Sequence, residues 1–401
     1  MLVDLQQLNY PPKTRGRVVV WGYLGSYPFG GMTWQVLHYV AGLRMLGFDV
    51  WYVEDTDAGV RDPGTLWTNE EYGPNVDHLS LWMDRIGLSD RWGFRPPGQY
   101  QLCLGALSAS GLKRLYREAD AVINVCGSHE LRPDHDQIGC LVYLETDPVP
   151  KQVAVARGDT RTIADLSRYR HLFTYGENLG ASDCAVPVTH FSWLKTRPPV
   201  IPDWWAGSKP PPADAAFTTI TSWKHKWNDV EWQGESWRWS KHYEFLNFRA
   251  LPSLCDRKLE LAETGMNDRC EQDFREAGWR LIPASRIADP DRYRDYILGS
   301  MGEFTVAKEQ YVKPRTGWFS DRSVCYLAAG RPVVTQETGF SSYIPCGEGL
   351  FAFSTMDEAA RSVNAIAADF PRHSGAAASI AREYFDAAVV VREMMAKVGL
   401  V

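Results

Sequence analysis

Three short apolar runs in the first half of this 401-residue sequence end in residues that can move protons or hold hydroxyl groups. Ala121–Val125 leads into Gly127-Ser128-His129-Glu130, Cys140–Leu144 into Glu145-Thr146-Asp147, and His171–Tyr175 into Glu177-Asn178. A histidine or carboxylate so placed can act as a general base or accept from a hydroxyl. The second half carries a different chemistry. Lys308, Lys313 and Arg315 follow one another with Glu309 as the acid among them. Such a cluster repels itself unless an anion is supplied. Arg322 comes next, in the first turn of a helix predicted over Asp321–Ala329, whose N-terminus also favours an anion. Ser320 is placed to cap that helix with its hydroxyl, and Gly330 to end it in a left-handed conformation. Beyond the buried strand Pro332-Val333-Val334, Glu337-Thr338-Gly339 brings a carboxylate, a hydroxyl and a backbone N–H to one strand end. The chemistry indicated is the holding of a phosphate-like anion beside a hydroxyl-rich group, with Arg322 facing the anion.

Alternating strands and helices must position these residues. Arg17–Trp21 reads as a buried strand, followed by a turn-rich loop with Gly25, Gly30 and Gly31. Thr33 then caps a helix with Val36, Leu37, Val40, Leu43 and Leu46 at 3.6-residue spacing, and Phe48–Val53 is the next strand. This βαβ unit predicts a parallel sheet, in which ligands bind at the carboxyl ends of strands. His129, Glu130 and Asp147 are therefore site candidates, and Gly25, Gly30 and Gly31 lie in the loop at the end of the first strand. The glycine spacing is G-x-x-G-x4-G-G, which does not match the G-x-G-x-x-G of dinucleotide-binding folds. Proline-rich residues 187–215, with Trp204-Trp205, read as an interdomain linker. A second set of alternating elements begins at Phe217–Ser222, followed by a basic loop, Trp223–Trp227, that contains Lys224. Trp232, Trp237 and Trp239 crowd the next stretch as an aromatic flap or as packing against the linker. Asp289-Pro290-Asp291 opens a helix and reads as a cap, not a metal motif. The last two helices, Gly375–Tyr384 and Asp386–Val398, have no strand after them.

The order of basic loop, helix, Ala328-Ala329-Gly330-Arg331-Pro332-Val333-Val334 and Glu337-Thr338-Gly339 resembles the donor-binding half of the two-domain GT-B glycosyltransferases. The resemblance covers Thr218–Thr355 and implies an α/β fold of two Rossmann-like domains facing across a cleft, with the last helix crossing back to the first domain. It implies an N-terminal acceptor-side domain at 1–190, a linker at 191–215, a nucleotide-sugar donor domain at 216–378 and a returning helix at 379–401. The implied activity is transfer of a sugar from a nucleotide-activated donor to a small-molecule or carbohydrate acceptor. Donor-binding residues would come from Lys224, Lys308, Arg315, Thr316, Gly317, Ser320, Asp321, Arg322, Glu337, Thr338 and Gly339. The acid after the strand, Glu337, would grip sugar hydroxyls, and the loop with Gly25, Gly30 and Gly31 would face an acceptor or a phosphate. Many members carry a ribose-binding glutamate where this chain has Cys325. The loop after the first strand lacks the basic histidine of many inverting members, which leaves His129 or Asp147 to act as base. No metal site and no cofactor beyond the co-substrate are implied. A catalytically silent sugar-nucleotide-binding protein and a dinucleotide-dependent oxidoreductase are the alternatives.

The totals agree with two ordinary globular domains. Apolar residues make up 45% and charged residues 23% of the chain, whose length suits two cores. A net charge of −6 argues against broad nucleic-acid binding. Eight cysteines without a C-x-x-C pair read as reduced thiols, and residues 1–14 lack the apolar stretch of a signal peptide, so a cytoplasmic location is expected. No apolar run approaches the length of a membrane span.

Overall fold

The computed structural model describes residues 5, 8, 10–62, 68–69, 71–206, 210–224 and 228–401. Two sheets organise them. The first has the strand order Leu194–Lys195, His171–Thr174, Leu141–Glu145, Ala121–Val125, Arg17–Trp21, Asp49–Glu54, Trp92–Phe94, Leu104–Gly105, parallel except at the last edge. The second is fully parallel, in the order Arg280–Pro283, Leu259–Thr264, Phe217–Ser222, Gly302–Thr305, Val333–Gln336, Leu350–Phe353. Helices cover both faces, so the strands are apolar on both sides. In the first strand Val18 and Val20 face one core while Val19 and Trp21 face another.

Each sheet has a switch point where strand order reverses. In the first it lies between Arg17–Trp21 and Ala121–Val125, in the second between Phe217–Ser222 and Gly302–Thr305. Crevices open at the carboxyl ends of such strand pairs, and here the loop after Gly302–Thr305 meets the loop after Leu141–Glu145 of the other sheet.

The two halves share one continuous core. The helix Gly30–Met45 is buried around nearly its whole circumference. Trp34 donates from Nε1 to Pro290 O at 2.9 Å, and Gly30 N–H donates to Ala288 O at 2.8 Å. The helix begins at Gly30 and not at Thr33, because a Cβ at residue 30 would collide with the Tyr293 ring from the second half. Thr33 instead hydrogen-bonds His78. On its other flank Gly42 admits the last helix, Ala387–Val398, so closely that a Cβ at residue 42 would lie 3.0 Å from Ala387 and Val391. That helix thereby returns to the first domain. The chain just before it is bonded to the connector, with Val200 N–H on Phe385 O and Ala387 N–H on Val200 O, both at 2.8 Å.

Residues 191–215 do not form a free linker. Leu194–Lys195 joins the first sheet, and Trp204 and Trp205 are buried around His38 of the long helix; 207–209 lie outside the described residues. A hinge of the kind a proline-rich spacer suggests is absent among the described residues. The tryptophan-rich stretch contains a hairpin, Val230–Trp232 with Glu235–Trp237, packed on Val149, Val153, Leu179 and Val186 of the first half. No helix of the described residues is long and apolar enough to cross a membrane.

Gly42→Leu should pry the last helix from the long one. Overpacking of this sort costs about 1–3 kcal/mol, which urea denaturation will read as a lower midpoint with little change in slope.

Candidate active site

Loops at the carboxyl ends of the two sheets build a polar seam across the interdomain cleft. From the first half, Asp147 follows the strand Leu141–Glu145. From the second, Lys308 follows Gly302–Thr305 and places Nζ 2.6 Å from Asp147 Oδ1. The Tyr311 hydroxyl donates to the same carboxylate oxygen. Burial alone would raise the Asp147 carboxyl, but Lys308 and Tyr311 hold it below the ordinary value. Three rings enclose the pair. Lys308 Nζ lies 3.2 Å from the Trp239 ring centroid, and Tyr311 stacks on Trp318 at 4.4 Å. Trp318 itself donates from Nε1 to Thr146 O at 2.8 Å.

Lys241, at the N-terminus of the helix His242–Asn247, completes the cationic side. It carries no ion pair and no side-chain hydrogen bond among the described residues, and its ammonium lies 5.7 Å from the Trp318 ring. Burial, with Arg322 and Lys308 nearby, pushes it down to about 7. Facing these cations from the long helix, Gln35 donates from Nε2 to Asp321 Oδ2 at 3.3 Å and accepts from Cys126 Sγ at 3.2 Å. Thr146 Oγ1 donates to the same sulfur at 3.2 Å. The sequence reading missed Lys241, Tyr311, Gln35 and Thr146. The one signal for Lys241 was its place just before the first helix after the strand Phe217–Ser222.

Several predicted residues stand elsewhere or do other work. Arg322 touches the small cavity beside Gly31 and Gln35, but its N–H groups are engaged within the protein. It donates to Glu303 Oε1 at 2.6 Å, to Ile220 O at 2.8 Å and to Thr305 Oγ1 at 2.8 Å, spanning the ends of two neighbouring strands. Ser320 occupies the cap position of the helix Asp321–Ala328, yet its hydroxyl takes no N–H there; Gly330 has the expected left-handed φ of 64°. Arg315 pairs with Asp183 of the first half at 2.9 Å, and Thr316 is buried against Tyr311 O. Gly317 and Gly339 meet Asn178, while Thr338 donates to Trp318 O at 2.6 Å. Glu337 is half-buried beside them and accepts from Gly339 N–H. Lys224 is exposed, and the rest of its basic loop, 225–227, lies outside the described residues.

The glycine loop of the first half is not an open phosphate cradle. Gly25 N–H and Ser26 N–H both donate to buried Glu54, the latter at 2.8 Å, and Gly30 N–H is spent on Ala288 O. What the loop leaves half-exposed is a ladder of rings, Tyr23, Tyr27 and Phe29. Gly31 lines a small cavity with Gln35, Asp321 and Cys325. Glu130 is exposed at the neighbouring strand end.

His129 is a poor base. It is buried, stacks on Trp21 at 4.6 Å, accepts from Asp55 N–H at Nε2 and hydrogen-bonds Ser128 at Nδ1. Burial drives it down to about 3. Below it, Asp55, Asp134 and His135 are close enough to hold a cation. Arg95 and Arg132 already lie on those carboxylates, Arg95 at 3.0 Å from Asp134, so their charge is neutralised.

Solved structures share this arrangement of two sheets. AviGT4, a glycosyltransferase involved in avilamycin A biosynthesis, aligns with a TM-score of 0.54 at 14% identity over 95% of this chain and 96% of its own. Anabaena Alr3699/HepE in complex with UDP and glucose aligns at 0.56 and 12%, covering 96% of this chain and 100% of its own. An alpha-glucosyltransferase in complex with UDP and a 13-mer DNA containing a HMU base aligns at 0.58 and 11%, covering 95% and 99%. The chain has the GT-B fold. No protein-family model and no curated protein sequence matches it. The seam from Asp147 to Lys241 lies between the two halves of this fold.

Arg322→Ala should act on the fold before it acts on binding. Glu303 is fully buried and one of its oxygens has no partner even in the wild type. Removing its cation leaves a buried charge at a cost of about 3–5 kcal/mol. Urea unfolding should record that loss, and Glu303→Gln in the same background should recover part of it.

Proposed function

We propose that this protein is a glycosyltransferase, moving a sugar from a nucleotide-activated donor to a small-molecule or carbohydrate acceptor. The observation that carries the reading is Lys241, a half-buried cation that lies beside Lys308 and Arg322, with Glu303 and Asp321 also in electrostatic reach, and whose ammonium has no ion pair or hydrogen bond among the described residues. Desolvating an ammonium without a partner is costly, and a diphosphate supplies the missing charge. Further support comes from the GT-B fold and from UDP bound in two of the structurally similar proteins.

In this reading Lys241 and Lys308 hold the diphosphate and stabilise the charge it gains as the glycosidic bond breaks. The lysines supply the positive charge that would otherwise fall to a metal, and no cofactor is needed. Glu337 accepts from donor sugar hydroxyls. Asp147 faces the acceptor hydroxyl from the opposite domain, and Tyr23, Tyr27 and Phe29 offer apolar faces to the acceptor. The protein works in the cytoplasm.

Calorimetry with UDP tests the central claim. Lys241→Ala should weaken binding about tenfold or more, the worth of one charge-assisted contact of roughly 1.5–3 kcal/mol. Unchanged affinity would remove the phosphates from this place.

The pH dependence has a definite sign. The protonated ammonium binds the anion, so affinity is highest below about 7 and falls as pH rises past it. Binding at pH 7–8 should therefore take up a proton, seen as a heat that changes with buffer ionisation enthalpy.

Glu337→Ala should leave UDP affinity nearly intact while impairing transfer from a UDP-sugar. An equal loss for UDP and the full donor would sever Glu337 from the sugar.

A further inference from the structure

Asn178 lies in the first half, in the loop after the strand His171–Thr174, yet three of its five hydrogen bonds reach the second half, the others going to Asp183 and from Ala181 N–H within its own loop. Its backbone N–H donates to Thr316 O at 2.9 Å, and Nδ2 donates to Arg315 O at 2.8 Å. Oδ1 accepts from the Tyr343 hydroxyl at 2.8 Å, and Nδ2 is shared with Asp183 of its own loop at 3.0 Å. The residue is 2% exposed. Two more bonds flank it across the junction, Ala185 N–H on Pro314 O at 3.0 Å and Arg315 on Asp183.

The backbone it holds is strained. Arg315 has φ 52°, a region that disfavours residues with a Cβ, and Gly317 and Gly339 have φ 76° and 97°. A Cβ on Gly317 would overlap Asn178, and one on Gly339 would come within 3.2 Å of Nδ2. These two glycine loops are also tied to each other, Gly317 N–H on Thr338 O at 2.6 Å. Glu337, the acid read as holding sugar hydroxyls, hangs from the second loop through its bond to Gly339 N–H.

We infer that Asn178 is a positioning residue of the donor sugar subsite, contributed across the cleft by the opposite domain. The inference rests on the glycosyltransferase reading. It goes beyond that reading by making the sugar end of the site a joint product of both halves, while Lys241 and Lys308 at the phosphate end have no direct contact with Asn178 among the described residues.

Asn178→Ala and Asn178→Asp in the full-length protein test this, with UDP and UDP-glucose as probes. The aspartate keeps the shape but cannot donate to Arg315 O. Both variants should leave the UDP dissociation constant within about twofold and raise that of UDP-glucose about tenfold. Hydrogen exchange should quicken in peptides covering 315–318 and 337–340. Equal weakening of both probes would reduce Asn178 to a general structural role, and unchanged exchange would overturn the positioning claim outright. If the wild type binds neither probe, the donor-site reading falls, and the exchange measurement still decides whether Asn178 sets these loops.

Discussion

A helix without a solvent face, Gly30–Met45, sits where the two sheets meet, and most of the architecture follows from accommodating it. One side needs Gly30 to admit Tyr293; the other needs Gly42 to admit Ala387 and Val391. Its tryptophan, Trp34, must send its N–H across to Pro290 O because no water is available. A core that runs unbroken from Val18 to Met395 resists relative domain motion more than a polar interface would. The cleft is consequently a crevice between two welded halves, and its polar residues are held at fixed separation.

Fixed separation explains how the basic residues divide their labour. Arginines are consumed by structure: Arg322 ties two strand ends, Arg315 spans the domains and Arg95 and Arg132 neutralise the Asp55 cluster. A guanidinium has a planar fork of donors that can satisfy a carboxylate and a carbonyl at once. Lysines offer a compact charge on a flexible stem, and it is Lys241 and Lys308 that face the cleft. The basic run legible near residue 315 thus overstated the phosphate site, since most of its charge is answered by Glu303, Asp183 and Glu309.

Local signals were read well and distant partners were not. Arg17–Trp21, Ala121–Val125 and Phe217–Ser222 fold as strands over the residues expected, the first two as largely apolar runs and the third as a β-branched one, both suited to strands covered on both faces. Met356–Ala368 likewise starts where Thr355 and Glu358 form a capping box. Thr33 failed as a helix start because Tyr293, far away in the chain, fits only against glycine. His129 looked like a base because it follows a strand end, but its two nitrogens are engaged by Ser128 and Asp55, partners the strand pattern does not disclose. Asp147 and Lys308 were both picked out; their pairing across the cleft depends on how two domains meet, which spacing along the chain does not encode.

The aromatic residues around the seam explain why a few charges suffice there. Trp239, Trp318 and Tyr311 shield Lys308 and Lys241 from water, and the same shielding depresses both lysines. Coulomb interactions strengthen as the effective dielectric falls, so an anion entering this place feels each ammonium more than it would at the surface. The site is therefore least comfortable when empty and gains most from a ligand whose charge grows during reaction, as that of a departing diphosphate does. Asp147 moderates the empty state by holding Lys308, and a diphosphate that draws Lys308 away leaves Asp147 with only hydroxyl donors. In the proposed glycosyltransferase reading its basicity then rises as an acceptor hydroxyl needs a partner, so the two sides of the crevice are coupled through Asp147 and Lys308 without any movement of the domains.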